Sequence, residues 1–292
     1  MVLIMNTAKN KIKEPFSLRA LRWSYPKIEK IAPGIAHNIA WNLFFSPFRF
    51  NRPERENTAF ETANQTSITV NSKKVTLFDW GTPGNPVAVV VHGWSGRATQ
   101  FHKFIQPLID NGFHVVGFDA PAHGLSEGKN TNIKEFHTVL SHIEKNIGVI
   151  KIGIGHSFGG VSLLYAIKER LKLDAVVMIS SPTIGEDILT SFRKKINASQ
   201  HTSTALRKMV VEKFNLSFEE ITACELSKVI TLNNLLIVHD KNDSEVPYHN
   251  AQSLHKINSK SELLLTNGLG HTRILRDEQV VSTILQFIEK IN

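Results

Sequence analysis

The stretch GHSFG at 155–159 joins an apolar, β-branched run to an amphipathic run with a charged tail, within VIKIGIGHSFGGVSLLYAIKERL at 149–171. This order predicts a strand, a sharp turn at Ser157 and a helix. Glycines on both sides of the serine let the two backbones approach closely, where larger side chains would collide. The turn should therefore lift the Ser157 hydroxyl clear of the strand and place it beside the first N–H groups of the helix.

A serine hydroxyl is a weak nucleophile at neutral pH, so a catalytic Ser157 requires a base and an acid that orients the base. Both are expected at the ends of later strands, in the order serine, acid, histidine. The strand LLIVHD and the loop KNDSEVP contain Asp240 at the strand terminus and Asp243 just beyond it. We prefer Asp243, and Glu245 is a weaker alternative.

The candidate base is His271, in a glycine-flanked loop after the strand SELLLTNG. His249 and His255 also follow the acidic loop, but both fall in a predicted helix and are expected to be solvated. Acyl transfer also needs donors for the developing oxyanion. We predict them to be the backbone N–H groups of Trp94, after the strand VAVVVHG, and of Phe158. The indole of Trp94 has two interpretations, as part of a pocket wall or of the core.

Short apolar runs alternate with helical patterns from residue 67 onwards, which predicts an α/β fold with helices on both faces of a sheet. Most of the runs are continuously apolar, as expected for strands that are covered on both sides. The sheet is therefore predicted to be mostly parallel and eight-stranded. Its strands are predicted in SITV (67–70), KKVTLFDWG (73–81), VAVVVHG (87–93), HVVGFDA (114–120), VIKIGIGH (149–156), DAVVMISS (174–181), NLLIVHD (234–240) and SELLLTNG (261–268).

A long interval between the sixth and seventh predicted strands interrupts this alternation. Apolar residues recur there at helical spacing, as in Leu206, Val210 and Phe214. We predict a small helical cap at about 184–231, inserted at the edge where ligands bind such sheets. One long crossover helix with loops is the alternative. The chain is thus divided into an N-terminal extension at 1–66, partly helical or flexible, and a main domain at 67–292.

The N-terminal extension is basic. The chain has a formal net charge of +8, and residues 1–60 contain ten Lys or Arg and four acidic residues, which gives 10 − 4 = +6. Such a segment is either simply solvated or attracted to an anionic surface, and we consider peripheral membrane contact through residues 1–60. Within it, 31–50 is rich in Phe and Trp. This part is expected either to lie on a membrane or over a pocket, or, as we slightly prefer, to pack as a helix on the domain.

Composition limits the remaining possibilities. The single cysteine, Cys224, excludes an internal disulfide and a cysteine metal cluster, and favours a reducing compartment. No apolar run approaches the length of a membrane span, and we recognise no signal peptide, so we expect a cytoplasmic protein, with peripheral attachment to the inner face of a membrane as an extension of that view. The spacing of His92, His123 and His156 matches no metal motif, which favours structural histidines. No nucleic-acid recognition motif is present.

Four separated motifs resemble the α/β-hydrolase superfamily over roughly residues 67–291. They are HGW (92–94), DAPAHGLSEG (119–128), GHSFGG (155–160) and the loops that contain Asp243 and His271. The resemblance implies that Ser157 is the nucleophile, that His271 is the general acid and base, that Asp243 orients it, and that Trp94 and Phe158 form the oxyanion hole. A serine at 157 argues against the dehalogenase and epoxide hydrolase branches. The chain departs from the family at Asp240, where many relatives have glycine, and in residues 1–66.

We therefore expect a serine hydrolase that cleaves a carboxylic ester or related acyl bond of a small, apolar molecule through an acyl-enzyme, without a cofactor or a metal. Thioesterases, carbon–carbon bond hydrolases, amidases and cofactor-free haloperoxidases have the same triad, and the fold does not choose among them. A non-catalytic or weakly catalytic protein that binds a ligand under the cap is the alternative from another class. The oligomeric state stays open.

Overall fold

The computed structural model describes residues 16–291. The first 15 residues of the predicted extension, and with them the basic Lys9, Lys11 and Lys13, lie outside the described residues. The described residues form one eight-stranded sheet with helices on both faces, so the predicted α/β-hydrolase architecture is confirmed. The strands are β1 (Asn64–Val70), β2 (Lys73–Trp80), β3 (Val87–Val91), β4 (His114–Phe118), β5 (Ile150–His156), β6 (Ala175–Ile179), β7 (Leu235–Asp240) and β8 (Glu262–Thr266).

The strands lie in the order β1-β2-β4-β3-β5-β6-β7-β8. Strands β3 to β8 are parallel to one another, whereas β2 runs antiparallel to both β1 and β4. All residues of β3, β4, β6 and β7 are buried, which is why their sequences do not alternate between apolar and polar residues. The polar residues of these strands stand at their ends, His114 in β4 and His239 and Asp240 in β7. Val91 pairs with Gly155, and Ile179 pairs with His156, so β3, β5 and β6 end side by side at the carboxyl edge.

Two layers of helices cover the sheet. The helices are α1 (Phe16–Ile31), α2 (Pro33–Phe45), α3 (Asn57–Glu61), α4 (His102–Asp110), α5 (Ile133–Asn146), α6 (Phe158–Lys168), α7 (Gly185–Ile196), α8 (Gln200–Phe214), α9 (Ala223–Val229), α10 (His249–Ile257), α11 (Gly270–Arg273) and α12 (Glu278–Glu289). Helices α5, α6, α9 and α10 share one core with the sheet, and α3, α4 and α12 share the other. No helix within residues 16–291 is both long enough and apolar enough to cross a bilayer.

Between β6 and β7 the chain forms α7, α8, a 3₁₀ turn at Glu219–Ile221 and α9, rather than one long crossover helix. Helices α7 and α8 pack with α1 and α2 around a third hydrophobic core, which we call the cap core. Its fully buried members include Tyr25 of α1, Ala40 of α2 and Leu189 of α7. Residues 16–45 and the inserted helices α7 and α8 therefore make one small helical subdomain, which we call the cap. More than 130 residues separate α2 from α7 in the sequence.

The aromatic residues of α2 face this cap core. The Trp41 and Phe45 rings lie 4.2 Å apart, and each contacts Phe214 of α8 at 5.6 and 5.5 Å respectively. Phe44 meets Phe192 of α7 edge to face at 5.0 Å. Within the predicted aromatic segment 31–50, these rings pack on the helices of the chain, whereas the Phe48 and Phe50 rings, beyond α2, are exposed.

The segment after α2 runs along the carboxyl edge of the sheet. The backbone N–H of Phe48 donates to the Ser95 hydroxyl at 2.9 Å. The Arg49 guanidinium donates to the carbonyls of Ala122, Ser126 and Gly128. The cap is thereby attached to the loops that follow β3 and β4.

Candidate active site

Ser157 occupies the turn between β5 and α6, with φ 51° and ψ −120°. A non-glycine residue at positive φ is strained, and such strain persists only where the surroundings hold it. Here the Ser157 N–H donates to the Ile179 carbonyl of β6 at 2.8 Å, and the Ser157 carbonyl accepts from the Gly160 N–H at 3.1 Å. The turn is therefore held from the neighbouring strand and from its own helix.

The flanking glycines allow two close backbone approaches. A Cβ on Gly159 would lie 2.0 Å from the Val91 carbonyl oxygen, and a Cβ on Gly155 would lie 2.4 Å from the Gly160 nitrogen. No side chain fits at either distance without moving backbone. The helix can thus start directly against the ends of β3 and β5.

His271 and Asp243 lie together at the same edge of the sheet. The Nδ1 of His271 is 2.7 Å from Oδ2 of Asp243. The other carboxylate oxygen accepts the backbone N–H groups of Glu245 at 2.8 Å and of Val246 at 2.9 Å. Burial raises the pKa of Asp243, but the hydrogen bond and charge of His271, with the two N–H donors, outweigh it and lower the pKa overall. The carboxylate is thus held ionised against the imidazole.

The backbone of His271 differs from the sequence expectation. The residue lies in the four-residue helix α11, rather than in an open loop. Gly270, at φ 68°, provides the left-handed conformation with which this helix starts.

Asp240 has a different set of partners. Its carboxylate accepts the N–H of Asn242 at 2.9 Å, the hydroxyl of Thr266 at 2.7 Å and the N–H of Leu269 at 2.9 Å. Burial raises the pKa of Asp240, but these bonds and one from the Gly270 N–H lower it more. Asp240 therefore joins the loop that contains Asp243 to the end of β8 and the start of α11, the helix that contains His271.

The remaining acid and the helical histidines lie elsewhere. Glu245 is exposed and contributes its backbone N–H to Asp243. His249 lies on α10 and contacts Asp187 of α7 at 2.6 Å, and His255 bonds the Ser261 hydroxyl at 2.8 Å. Among the acids considered from the sequence, Asp243 is the one that the structure brings to the imidazole of His271.

Two further histidines surround this pair. His156, directly before Ser157, donates from Nε2 to the backbone carbonyl of His271 at 2.8 Å, and burial lowers its pKa to about 3. Nε2 of His239 lies 2.9 Å from the Val246 carbonyl and 3.5 Å from Oδ2 of Asp243. His156 thus joins the serine turn to α11. Sequence reasoning missed the contact of His239, although its place four residues before Asp243 at a strand end was an available signal.

The loop after β3 lies directly against the serine. A Cβ on Gly93 would be 2.7 Å from the Cβ of Ser157. His92 holds this loop, since its Nδ1 donates to the Gly93 carbonyl at 2.7 Å and its Nε2 accepts the Ala120 N–H at 3.0 Å. Burial keeps His92 neutral, with a pKa of about 4. His123 bonds the Pro121 carbonyl, and burial also lowers its pKa.

The two predicted oxyanion donors belong to residues whose rings are in contact beside Ser157. Phe158 is the first residue of α6, so its N–H has no partner within the helix. The N–H of Trp94 takes part in none of the hydrogen bonds found for residues 16–291. The Trp94 ring is half-buried and meets the rings of Phe158 and His123 edge to face, each at 5.5 Å. It therefore packs beside the serine turn instead of deep in a core.

The described part of the chain contains no group of three His, Cys, Asp or Glu side chains arranged to hold a metal ion. The serine turn is surrounded by aromatic rings and by His92, His123 and His156, whose pKa values burial lowers, and the carboxylate of Asp243 is ionised. This arrangement suits proton transfer between a hydroxyl and an imidazole.

Comparison with known proteins agrees with the fold. The chain is 26% identical over 153 residues to the human serine hydrolase-like protein, a match that covers 48% of this chain and 75% of that protein. It is also 26% identical over 153 residues to human serine hydrolase-like protein 2, and there the match spans only about half of the relative, 48% of its length.

The Pyrococcus furiosus esterase Pf2001 has the same fold. The two structures superimpose with a TM-score of 0.64 at 20% sequence identity, over 85% of this chain and all, 100%, of that one. The family profile described as Serine aminopeptidase, S33, matches residues 83–267. These residues include Ser157 and Asp243, and amount to more than half of the sequence. The chain therefore belongs to this α/β-hydrolase family.

Proposed function

We propose that this α/β hydrolase is a serine hydrolase that cleaves a carboxylic ester, or a related acyl bond, of a small apolar molecule. The observation behind the proposal is the pairing of His271 with Asp243 at 2.7 Å, joined through His156 to the strained turn of Ser157. Nucleophile, base and orienting acid are the three roles that such a reaction requires.

The hydrogen bond to Asp243 determines which nitrogen of His271 acts as the base. With the proton on Nδ1 donated to Asp243, Nε2 has a free lone pair. That nitrogen accepts the proton of the Ser157 hydroxyl as the serine oxygen attacks the carbonyl carbon. The nearby carboxylate stabilises the imidazolium that forms.

The tetrahedral intermediate places a negative charge on the former carbonyl oxygen. The N–H groups of Trp94 and Phe158 are the proposed donors to it, helped by the positive end of α6. His271 then returns its proton to the leaving alcohol as the carbon–oxygen bond breaks. A water molecule, deprotonated by the same imidazole, releases the acid and restores the serine.

Aromatic rings near the serine turn support an apolar substrate. The half-buried rings of Phe158 and Trp94 meet edge to face at 5.5 Å beside the serine turn. Such surfaces favour an alkyl or aryl acyl group over a charged one. The chemistry of the aromatic surround therefore suggests ester or thioester substrates with an apolar acyl part.

The test is covalent labelling of purified protein with a fluorophosphonate probe, followed by hydrolysis of p-nitrophenyl esters of increasing acyl length. We expect labelling of the wild type and none of Ser157→Ala. Ser162→Ala is the matched control, because Ser162 lies on the same helix and its hydroxyl bonds the Phe158 carbonyl at 2.9 Å. This control should label normally.

Each other outcome would change the proposal. A folded wild-type protein that neither labels nor turns over any ester would contradict the enzyme and leave a ligand-binding protein. Labelling with turnover of acyl thioesters but not of oxygen esters would keep the triad and replace the substrate class.

A further inference from the structure

Helix α1 exposes large apolar side chains on its outer face. Phe16, Trp23 and Ile31 are 82%, 69% and 83% exposed, and Ile35 at the start of α2 is 60% exposed. Spacings of seven and eight residues place the three residues of α1 on one side of the helix. We call Phe16, Trp23 and Ile31 the α1 face. Exposed apolar residues that cluster in this way mark an interaction surface more often than isolated ones do.

The opposite side of α1 is fixed to the cap. Tyr25 is fully buried, and its hydroxyl lies 2.8 Å from the hydroxyl of Thr202 and donates to the Ala36 carbonyl at 3.2 Å. Glu29 accepts the hydroxyls of Ser199 at 2.8 Å and Thr202 at 2.6 Å. These contacts hold the helix in one orientation, so the α1 face points away from the protein.

Charge identifies the kind of surface that the α1 face fits. Helix α1 contains four basic residues and one acidic residue, Glu29. The carboxylate of Glu29 already accepts hydrogen bonds from Ser199 and Thr202 of the cap. Lys27 lies beside the aromatic ring of the α1 face, with its Nζ 3.1 Å from the centroid of Trp23. Lys27 and Lys30 are both exposed. An apolar stripe flanked by cations is complementary to a surface that is negatively charged outside and apolar beneath.

We propose that the α1 face binds the surface of a bilayer that contains anionic phospholipid. Trp23 and Ile31 enter the boundary between headgroups and acyl chains, while Lys27 and Lys30 stay at the level of the phosphates. The helix lies in the membrane plane, and the cap lies between the bilayer and the sheet. This inference does not depend on the proposed reaction.

The experiment is sedimentation of the full chain with phosphatidylcholine vesicles, with and without phosphatidylglycerol, at low and at high salt. Binding should need phosphatidylglycerol and weaken at high salt, because added ions screen exposed charges. Each cation near such a surface contributes about 1 kcal/mol, so removing one lowers the partition coefficient roughly fivefold. Lys27→Gln/Lys30→Gln should therefore bind about 25-fold more weakly.

Matched variants separate local from general effects. Lys256→Gln/Lys260→Gln removes the same charge from two exposed lysines, one near the end of α10 and one just before β8. Both lie near the amino end of β8 and outside the cap, so this variant should bind like wild type. Trp23→Ser/Ile31→Ser should weaken binding at both salt concentrations. Val149→Ser, which alters a 64% exposed valine just before β5, should not. All these side chains are exposed, and circular dichroism checks that each variant is folded.

Several results would overturn the proposal. Wild-type protein that fails to sediment with phosphatidylglycerol vesicles at low salt contradicts it. Binding that is equally strong in the α1 variants assigns the membrane contact to another segment. Self-association of the wild type that Trp23→Ser/Ile31→Ser abolishes, without vesicle binding, assigns the face to a second copy of the chain.

Discussion

Two aspartates three residues apart should respond differently to the same substitution, one by a loss of catalytic activity and the other by a loss of stability. Asp→Asn keeps the size of the side chain, removes its charge and replaces one acceptor oxygen by a donor. Asp243 faces His271, whereas Asp240 bonds the backbone and Thr266. The substitution therefore tests chemistry at one position and loop attachment at the other.

For Asp243→Asn, the oxygen that accepts the N–H groups of Glu245 and Val246 can be kept. The new amide N–H₂ then faces Nδ1 of His271, which favours the tautomer with its proton on Nε2. That tautomer cannot accept the serine proton. We expect kcat/KM for an ester to fall about 10³- to 10⁴-fold, as for the acid of a serine protease triad. This fall is roughly 4–5.5 kcal/mol in the barrier.

For Asp240→Asn, the oxygen can accept either Asn242 or the Thr266 and Leu269 pair, but not both. At least one hydrogen bond to a buried charged group is lost and the others become neutral, at a cost of about 3 kcal/mol in the free energy of unfolding. With an unfolding entropy of about 2.1 cal/mol/K for each of the 292 residues, the melting temperature should drop by roughly 5 °C. At a temperature where the variant is folded, kcat/KM should stay within about tenfold of wild type, because the His271–Asp243 contact is retained.

The assay is ester hydrolysis on each variant together with thermal unfolding followed by circular dichroism. Ser162→Ala again serves as the control for a nearby change. The reasoning is refuted if Asp240→Asn abolishes activity at an unchanged melting temperature while Asp243→Asn remains active, since Asp240 would then be the orienting acid.

Three further predictions concern other parts of the molecule. Gly93→Ala should reduce ester turnover by at least about 100-fold, because its Cβ would lie 2.7 Å from that of Ser157; near-normal kinetics would contradict this. Tyr25→Phe removes the hydroxyl between Thr202 and the α2 backbone and should cost about 1 kcal/mol. Hydrogen exchange should then speed up in the cap but not in the sheet, and equal acceleration in both would show that the cap core is not a separate unit. His92 has a pKa of about 4 when folded, against an ordinary value near 6.5, so the unfolded chain binds more protons between these values. Stability should fall by roughly 3 kcal/mol from this group as pH drops from about 6.5 to 4, and a flat profile of urea midpoints over this range would exclude a buried neutral His92.

Local sequence was sufficient to predict the strands and the serine turn. Parallel strands that are buried on both faces are expected to be apolar along their whole length, and β3 and β6 show this directly. The turn at Ser157 needs small neighbours, and Gly155 and Gly159 supply them within two residues. In both cases the residues that determine the local structure lie within one short segment, so the pattern is visible in the sequence.

The hydrogen-bond partners of Asp240 and Asp243 could not be read from the local sequence in this way. Both acids follow β7 and both have polar neighbours, so their sequence positions alone gave a preference and no geometry. The structure separates them because Thr266 and Leu269 lie 26 and 29 residues beyond Asp240, and His271 lies 28 residues beyond Asp243. These contacts depend on how β7 and β8 are paired.

The sequence by itself determined the α/β class and the basic character of the first 60 residues. It also determined the order along the chain in which the candidate serine, acid and histidine follow their strands. Only the tertiary structure decided that α1 and α2 share a core with α7 and α8, and which side chains of α1 remain outside it. The physical reason is the range of the interactions. Backbone sterics and alternation of polarity act between neighbours and appear in the sequence, whereas burial of a helix face depends on elements that are far away in the chain.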